Sequence, residues 1–245
     1  MLGDKVISTF VLASACFRSV LCRQRAASAL LPFSRPDLEG IARPAEPAVA
    51  YRAATFADCR DIARFISLAG GGLYEFLFGD LIPLLTPTSF LTVATASPRY
   101  SISYRNCFVA VDEPTNAVIA MANVFPTDLL KKENSAVLPL KRRSHIRPML
   151  ELQDWGSMFL NALAVSEQYR GNGIGARLLD WAEDRTRQGG FDRLSLHCWA
   201  DNTTAVNFYK ARGFVVLDIA DIPYDARLRH FGGSILMQRK ISQVV

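Results

Sequence analysis

The stretch Leu160–Phe214, LNALAVSEQYRGNGIGARLLDWAEDRTRQGGFDRLSLHCWADNTTAVNFYKARGF, carries the pattern that decides the fold. The apolar run Met158–Val165 reads as a strand and leads into Arg170-Gly171-Asn172-Gly173-Ile174-Gly175. Beyond that loop, Ile174, Leu178 and Ala182 recur at helical spacing, with Asp180, Glu183, Asp184 and Arg187 mainly toward solvent. Gly189-Gly190 ends the pattern, which predicts a helix over 174–188. A strand over 193–199 and a helix over 203–212 follow, the latter opened by the helix-start string Asp201-Asn202-Thr203.

A glycine loop between a strand and a helix has a physical use. Residues without side chains leave backbone N–H groups uncovered at a helix N-terminus, where the dipole favours an anion such as a pyrophosphate. Two schemes fit that loop. Gly171-x-Gly173-x-x-Ala176 satisfies the dinucleotide spacing, with Asp201 as a distant candidate ribose acid. Only 70 residues follow the loop, however, too few for the strands of a doubly wound domain that starts with it. That scheme also leaves the block Asn202–Phe214 without a place.

Arg170-x-x-Gly173-x-Gly175 followed by Asn202-x-x-Ala205-x-x-Phe208-Tyr209-x-x-x-Gly213-Phe214, with Leu163-Ala164-Val165 ahead of both, resembles the GCN5-related N-acetyltransferase (GNAT) superfamily. The resemblance implies an α/β (α+β) fold: a mixed, mostly antiparallel seven-stranded sheet, helices on both faces, and a splay between the fourth and fifth strands. It implies acetyl-CoA as co-substrate and a small-molecule or peptide amine as acceptor. The backbone of Arg170, Gly171, Asn172, Gly173, Ile174 and Gly175 would hold the CoA pyrophosphate, with the Arg170 charge beside it. Leu163 and Val165 would bond pantetheine, and the Leu163 N–H would polarise the thioester carbonyl. Asn202 and Tyr209, two helical turns apart, share a face. On the resemblance, Asn202 bonds pantetheine or nearby backbone, and Tyr209 protonates the departing thiolate.

Amine acetylation also requires a base, and no single residue claims that role. Asn161, two before Leu163, is expected on the same strand face. Ser195 and His197 share a face of the next strand. Glu75 lies in a helical segment that, on the resemblance, lines the acceptor cleft; Glu151 and Asp154 precede the central strand. His197 and Glu75 are the candidates carried forward. Two other functions compete: a silent acyl-CoA-binding module, and a nicotinamide-dependent oxidoreductase.

Outward from this segment, strand and helix signals alternate. A strand is expected at 49–53, a capping box at Thr55–Asp58, and a helix with Ile62, Phe65, Ile66 and Ala69 as its stripe, ended by Gly70-Gly71-Gly72. An apolar segment, 73–85, follows. Strands at 107–111 and 117–125 flank a turn at Glu113-Pro114-Thr115-Asn116. Between Lys131 and Arg147 a loop with six basic residues and one acid is expected, and strands at 214–219 and 234–241 close the domain. Residues 48–245 are the expected acyltransferase domain. Residues 1–47 read as a leader or extension, with an apolar run at 6–17 too short to span a membrane.

The 245 residues carry a formal charge of +5 and are 50% hydrophobic, which excludes a disordered or collagen-like chain. That balance suits an anionic ligand without announcing nucleic acid, and the basic segment lacks interleaved aromatics. Cys16, Cys22, Cys59, Cys107 and Cys198 are scattered and form no metal-binding pair, so free thiols in a reducing, cytoplasmic setting are expected. No metal, nucleic-acid or membrane partner is expected, and the assembly is a monomer or homodimer.

Overall fold

The computed structural model describes residues 47–81, 85–133, 138–228 and 230–242. The leader or extension expected over 1–47 lies, up to residue 46, outside the described residues. Among these residues seven strands form one sheet in the order β1-β2-β3-β4-β5-β7-β6. They are β1 (Val49–Ala53), β2 (Cys107–Asp112), β3 (Ala117–Pro126), β4 (Met158–Val165), β5 (Arg193–Trp199), β6 (Val215–Ala220) and β7 (Ser234–Lys240). All neighbours run antiparallel except β4 and β5, which are parallel. The β2–β3 turn is tightened by Asn116 at φ 56°, a left-handed conformation that asparagine tolerates.

Among the described residues six α-helices cover the two faces: α1 (Cys59–Gly70), α2 (Leu73–Phe78), α3 (Pro87–Ala96), α4 (Leu140–Glu151), α5 (Ile174–Gln188) and α6 (Thr203–Ala211). The two-residue period of the strands divides the core. Val109, Val111, Met121, Phe125, Phe159 and Trp199 join residues of α1, α2, α3 and α4. On the other face, Ala122, Leu160, Leu163, Leu196 and Met237 pack on α5 and α6. The expected α1 stripe, Ile62, Phe65, Ile66 and Ala69, is fully buried, and Gly71 ends the helix at φ 59°. Ahead of it, Thr55 and Asp58 close a reciprocal capping box, and Arg52 grips the same carboxylate with both terminal nitrogens.

Two helices depart from the expected pattern. The segment 131–147, expected as a loop, contains most of α4. Charges dominate it and only Ile146 and Met149 are buried, so no apolar stripe marks the helix. α4 is tied to α2: Arg142 donates to the Leu77 carbonyl at 2.9 Å and pairs with Asp80, and His145 packs on Phe76 with ring centres 5.0 Å apart. α3 was not expected at all, although Thr86 caps it through Ser89 N–H and Pro87 opens it.

Adjacent antiparallel strands can be joined by two residues. Here the long segment holding α4 separates β3 from β4, and its ends are clasped. Thr127 N–H and Oγ1–H both donate to the Ser157 carbonyl, at 3.0 and 2.9 Å. At the far edge, β6 exposes Val215, Val216, Leu217 and Ile219.

Candidate active site

The site begins where the sheet comes apart. β4 and β5 are paired only at Met158–Leu194 and Phe159–Ser195, so the rest of both strands diverges into a wedge. A bulge accompanies the divergence: Asn123 pairs with Ala162 and Val124 with Leu160, leaving Asn161 as the extra residue. The bulge corrects the expectation that Asn161 shares a face with Leu163. Leu163 packs with the α5–α6 core, whereas Asn161 donates from Nδ2 to Asn123 Oδ1 at 2.7 Å, on the strand face of Met121 and Phe125. A strict two-residue period cannot register one inserted residue.

The wedge opens into a cleft of about 320 Å³ lined by Leu163, Ala164, Val165, Tyr169, Arg170, Gly171, Gly173, Ile174, Gly175 and Ala176, by Leu68 of α1, and by Thr204, Ala205, Phe208 and Tyr209 of α6. Gly171 and Gly173 turn the loop at φ 81° and 75°, and a Cβ built on either would meet nothing within 4 Å. The bare backbone there faces open space rather than packed protein. α5 has no side-chain cap, so its first N–H groups are left for a ligand or solvent. Gly175 brings the helix close to the strands, with Leu163 and Val165 methyl groups 3.7 Å from a built Cβ.

Other expected residues shape this loop. Arg170 Nε donates to the Val165 carbonyl at 3.0 Å, folding the loop back on the end of β4. Asn172 is exposed and ties the turn through Nδ2 to the carbonyls of Tyr169 and Arg170, at 3.1 and 3.3 Å. Asn202 is the α6 N-cap: its Oδ1 accepts from Ala205 N–H at 3.2 Å. Tyr209 is fully buried, and its hydroxyl has no hydrogen-bond partner among the described residues. A buried hydroxyl in that state costs about 1–3 kcal/mol. Burial, with Cys198 nearby, pushes the phenol well above its usual range.

His197 and Glu75 are not on the wall of this cleft. His197 lies fully buried on the strand face opposite Leu196, with Nε2 against the Leu152 carbonyl at 2.8 Å and Nδ1 against Ser234 Oγ at 2.9 Å. Both nitrogens are thereby engaged by the fold, and burial depresses the imidazole to about 4, which keeps it neutral. Glu75 is on the exposed side of α2 and accepts from Ser67 Oγ at 2.8 Å. Ser195 bonds Ser157, Glu151 pairs with Arg147, and Asp154 is held by Arg193 and Gln238. An acid or histidine at a suggestive position in sequence has here been claimed by structure.

One constellation escaped the sequence reading. Asp201, read from the sequence as part of a helix start and as a distant ribose acid, accepts from His230 Nδ1 at 2.8 Å, and His230 stacks on Trp199. No local spacing links residues so far apart in the chain. Their juxtaposition also turns Asp201 away from the role a dinucleotide site would give it, and β4 is the fourth strand of a largely antiparallel sheet rather than the first of a parallel one.

Comparison with known proteins agrees with this architecture. The model of the acetyltransferase (GNAT) family matches residues 80–214. Bacillus subtilis (strain 168) has two uncharacterized N-acetyltransferases that are similar over short segments. YesJ is 40% identical over 58 residues, 24% of this chain and 32% of that protein. YdgE is 34% identical over 61 residues, 25% of this chain and 39% of that protein. The matches thus span about a third of the length of these relatives. The crystal structure of an N-acetyltransferase from Staphylococcus aureus Mu50 superposes with a TM-score of 0.57 at 20% identity, covering 78% of this chain and 100% of that one, a likeness of fold.

Proposed function

Because this chain belongs to the GNAT acetyltransferase family, we propose that it is an acetyl-CoA-dependent N-acetyltransferase passing the acetyl group directly to a primary amine. One observation carries the reading. The bare glycine loop at the α5 N-terminus and Tyr209 line the same cleft, at the place where β4 and β5 part, and the buried Tyr209 hydroxyl has no partner among the described residues. An anion-binding end and a proton-donating end on one elongated wedge suit a nucleotide thioester.

The roles follow from position. N–H groups of residues 170–175 receive the pyrophosphate, with the Arg170 guanidinium adding fixed charge. Leu163 and Val165, on a strand that has lost its parallel neighbour, offer backbone groups to pantetheine, and the Leu163 N–H serves the thioester oxygen. Tyr209 gives its proton to the sulfur as the C–S bond breaks. Burial keeps the phenol protonated at neutral pH, so the proton is present on Tyr209. Cys59, Cys107 and Cys198 are buried and form no disulfide among the described residues, which suits the reducing, cytoplasmic setting proposed.

Calorimetry with acetyl-CoA, followed by thiol release on adding an amine panel (polyamines, amino acids, peptide N-termini, aminoglycosides), tests the proposal. Saturable acetyl-CoA binding and amine-dependent thiol release are expected. Binding without release from any amine points to an acyl-CoA-binding module, and saturable NADH binding in place of acetyl-CoA overturns the reading.

A further inference from the structure

Asp201 lies between β5 and α6, and His230 in the connection from β6 to β7. The carboxylate Oδ1 accepts from His230 Nδ1–H at 2.8 Å, while Oδ2 takes the Phe231 N–H at 3.4 Å. The imidazole lies flat on Trp199, ring centres 4.6 Å apart and planes 9° from parallel. Trp199 is itself anchored, its indole N–H donating to the Gly70 carbonyl at 3.1 Å. Aromatic face and carboxylate together fix the ring, and a proton held on Nδ1 leaves the lone pair of the neutral ring on Nε2. Nε2 has no hydrogen-bond partner among the described residues. It abuts the α1–α2 turn, where a Cβ built on Gly71 would stand 2.4 Å away.

The pair stands behind two walls of the cleft, next to elements whose residues line it. Leu68, in the last turn of α1, lines the cleft, and Gly71 follows just beyond it. Thr204 and Ala205, in the first turn of α6, also line it, and Asp201 immediately precedes that helix's cap. Trp199 belongs to the core face opposite Tyr209. The two faces of the parted strands therefore carry different groups: a phenol on the α6 side and an oriented imidazole on the α1 side. An amine attacking a thioester held in the wedge from the side away from Tyr209 comes from the face that carries Trp199 and the imidazole stacked on it.

Resting on the acetyl-transfer reading above, we propose that His230, oriented by Asp201 and Trp199, is the base that deprotonates the incoming ammonium. The ammonium gives one proton to Nε2, and the freed lone pair forms the C–N bond as the carbonyl π-electrons move to oxygen. Collapse of the adduct breaks the C–S bond, and the sulfur takes the Tyr209 proton. The surplus N–H proton of the adduct returns to Tyr209 through solvent, and His230 releases its own to solvent. One acetyl group, one thiol and one net proton balance the step.

Full-length parent, His230→Gln and Asp201→Asn are compared in single-turnover transfer from acetyl-CoA to two nucleophiles. One is the most reactive amine of the panel, protonated near neutral pH; the other is hydroxylamine, which is largely unprotonated there and needs no base. His230→Gln should slow transfer to the amine by about 10²-fold or more while transfer to hydroxylamine stays within about threefold of parent. Asp201→Asn keeps the ring but loses its orienting charge, and should show the same selectivity in weaker form. It also carries the test if His230→Gln fails to fold. Equal losses for both nucleophiles, or no loss, would overturn the assignment while leaving the acetyltransferase reading intact. A parent that binds acetyl-CoA and transfers to no amine overturns both.

Discussion

Asn202 and Tyr209 stand two turns apart on α6, and the fold uses them in opposite ways. Asn202 spends its Oδ1 on capping the helix at Ala205 N–H, whereas the Tyr209 hydroxyl is buried with no described partner. Substitution should therefore separate stability from chemistry. Tyr209→Phe keeps the ring, which packs edge-on against Phe208 and Phe214, and removes an unsatisfied polar group. Its stability should equal or exceed the parent's by up to about 1 kcal/mol. Single-turnover acetyl transfer should slow by about 10²–10⁴-fold, the range for a lost general acid. Parental single-turnover rates would show that Tyr209 only packs.

Asn202→Ala has the reverse signature. Loss of the cap should lower stability by about 0.5–2 kcal/mol in urea titrations. The rate of the chemical step, measured at saturating acetyl-CoA, should change less than in Tyr209→Phe. A larger rate loss than that variant shows would move the proton-transfer role away from α6's last turn.

Gly173→Val tests the loop. Nothing lies within 4 Å of a Cβ built there, so the side chain enters open cleft rather than protein. Left-handed backbone with a branched residue should lower stability by about 1–2 kcal/mol. Acetyl-CoA affinity should fall at least about tenfold, equivalent to 1.4 kcal/mol. Unchanged affinity by calorimetry would remove the loop from the site.

Two buried groups set opposing slopes of stability against pH. His197 is depressed from 6.5 to about 4, so the unfolded chain binds the extra proton first. Its contribution is complete above pH 6.5 and is lost as pH falls toward 4. Glu133 is pushed from 4.5 up to about 7 by burial, so the folded state holds its proton longer. Its contribution is complete below pH 4.5 and is lost as pH rises through 7. The slopes partly cancel in the parent. Glu133→Gln should leave stability rising with pH between 4.5 and 6.5, and His197→Gln should leave it falling, in urea unfolding across that window. Parallel profiles for both variants would refute the assignment.

Local chemistry made the cofactor half of the molecule readable. The bounds of β4, α5 and β5 follow directly from apolar periodicity and from the glycines that punctuate it. α4 was hidden because its burial rests on two residues and its charges resemble a solvated loop. The bulge at Asn161 left no trace, since one extra residue changes facing without changing composition. His197 and Glu75 drew attention as titratable groups, yet what a titratable group does depends on partners distant in sequence: Leu152 and Ser234 for one, Ser67 for the other. Asp201 and His230 lie beyond sequence reasoning for the same reason.

The clasp between Thr127 and Ser157 sets where this chain can change length. Because the two ends are pinned by hydrogen bonds at the tips of adjacent strands, the span between them is a closed loop whose entropy grows only slowly with size. Doubling it would cost about 0.6 kcal/mol, far less than one lost core contact. Helix α4 occupies that span and reaches α2, so insertions or deletions there alter what stands beside α2 while β3 and β4, and the wedge they support, keep their register.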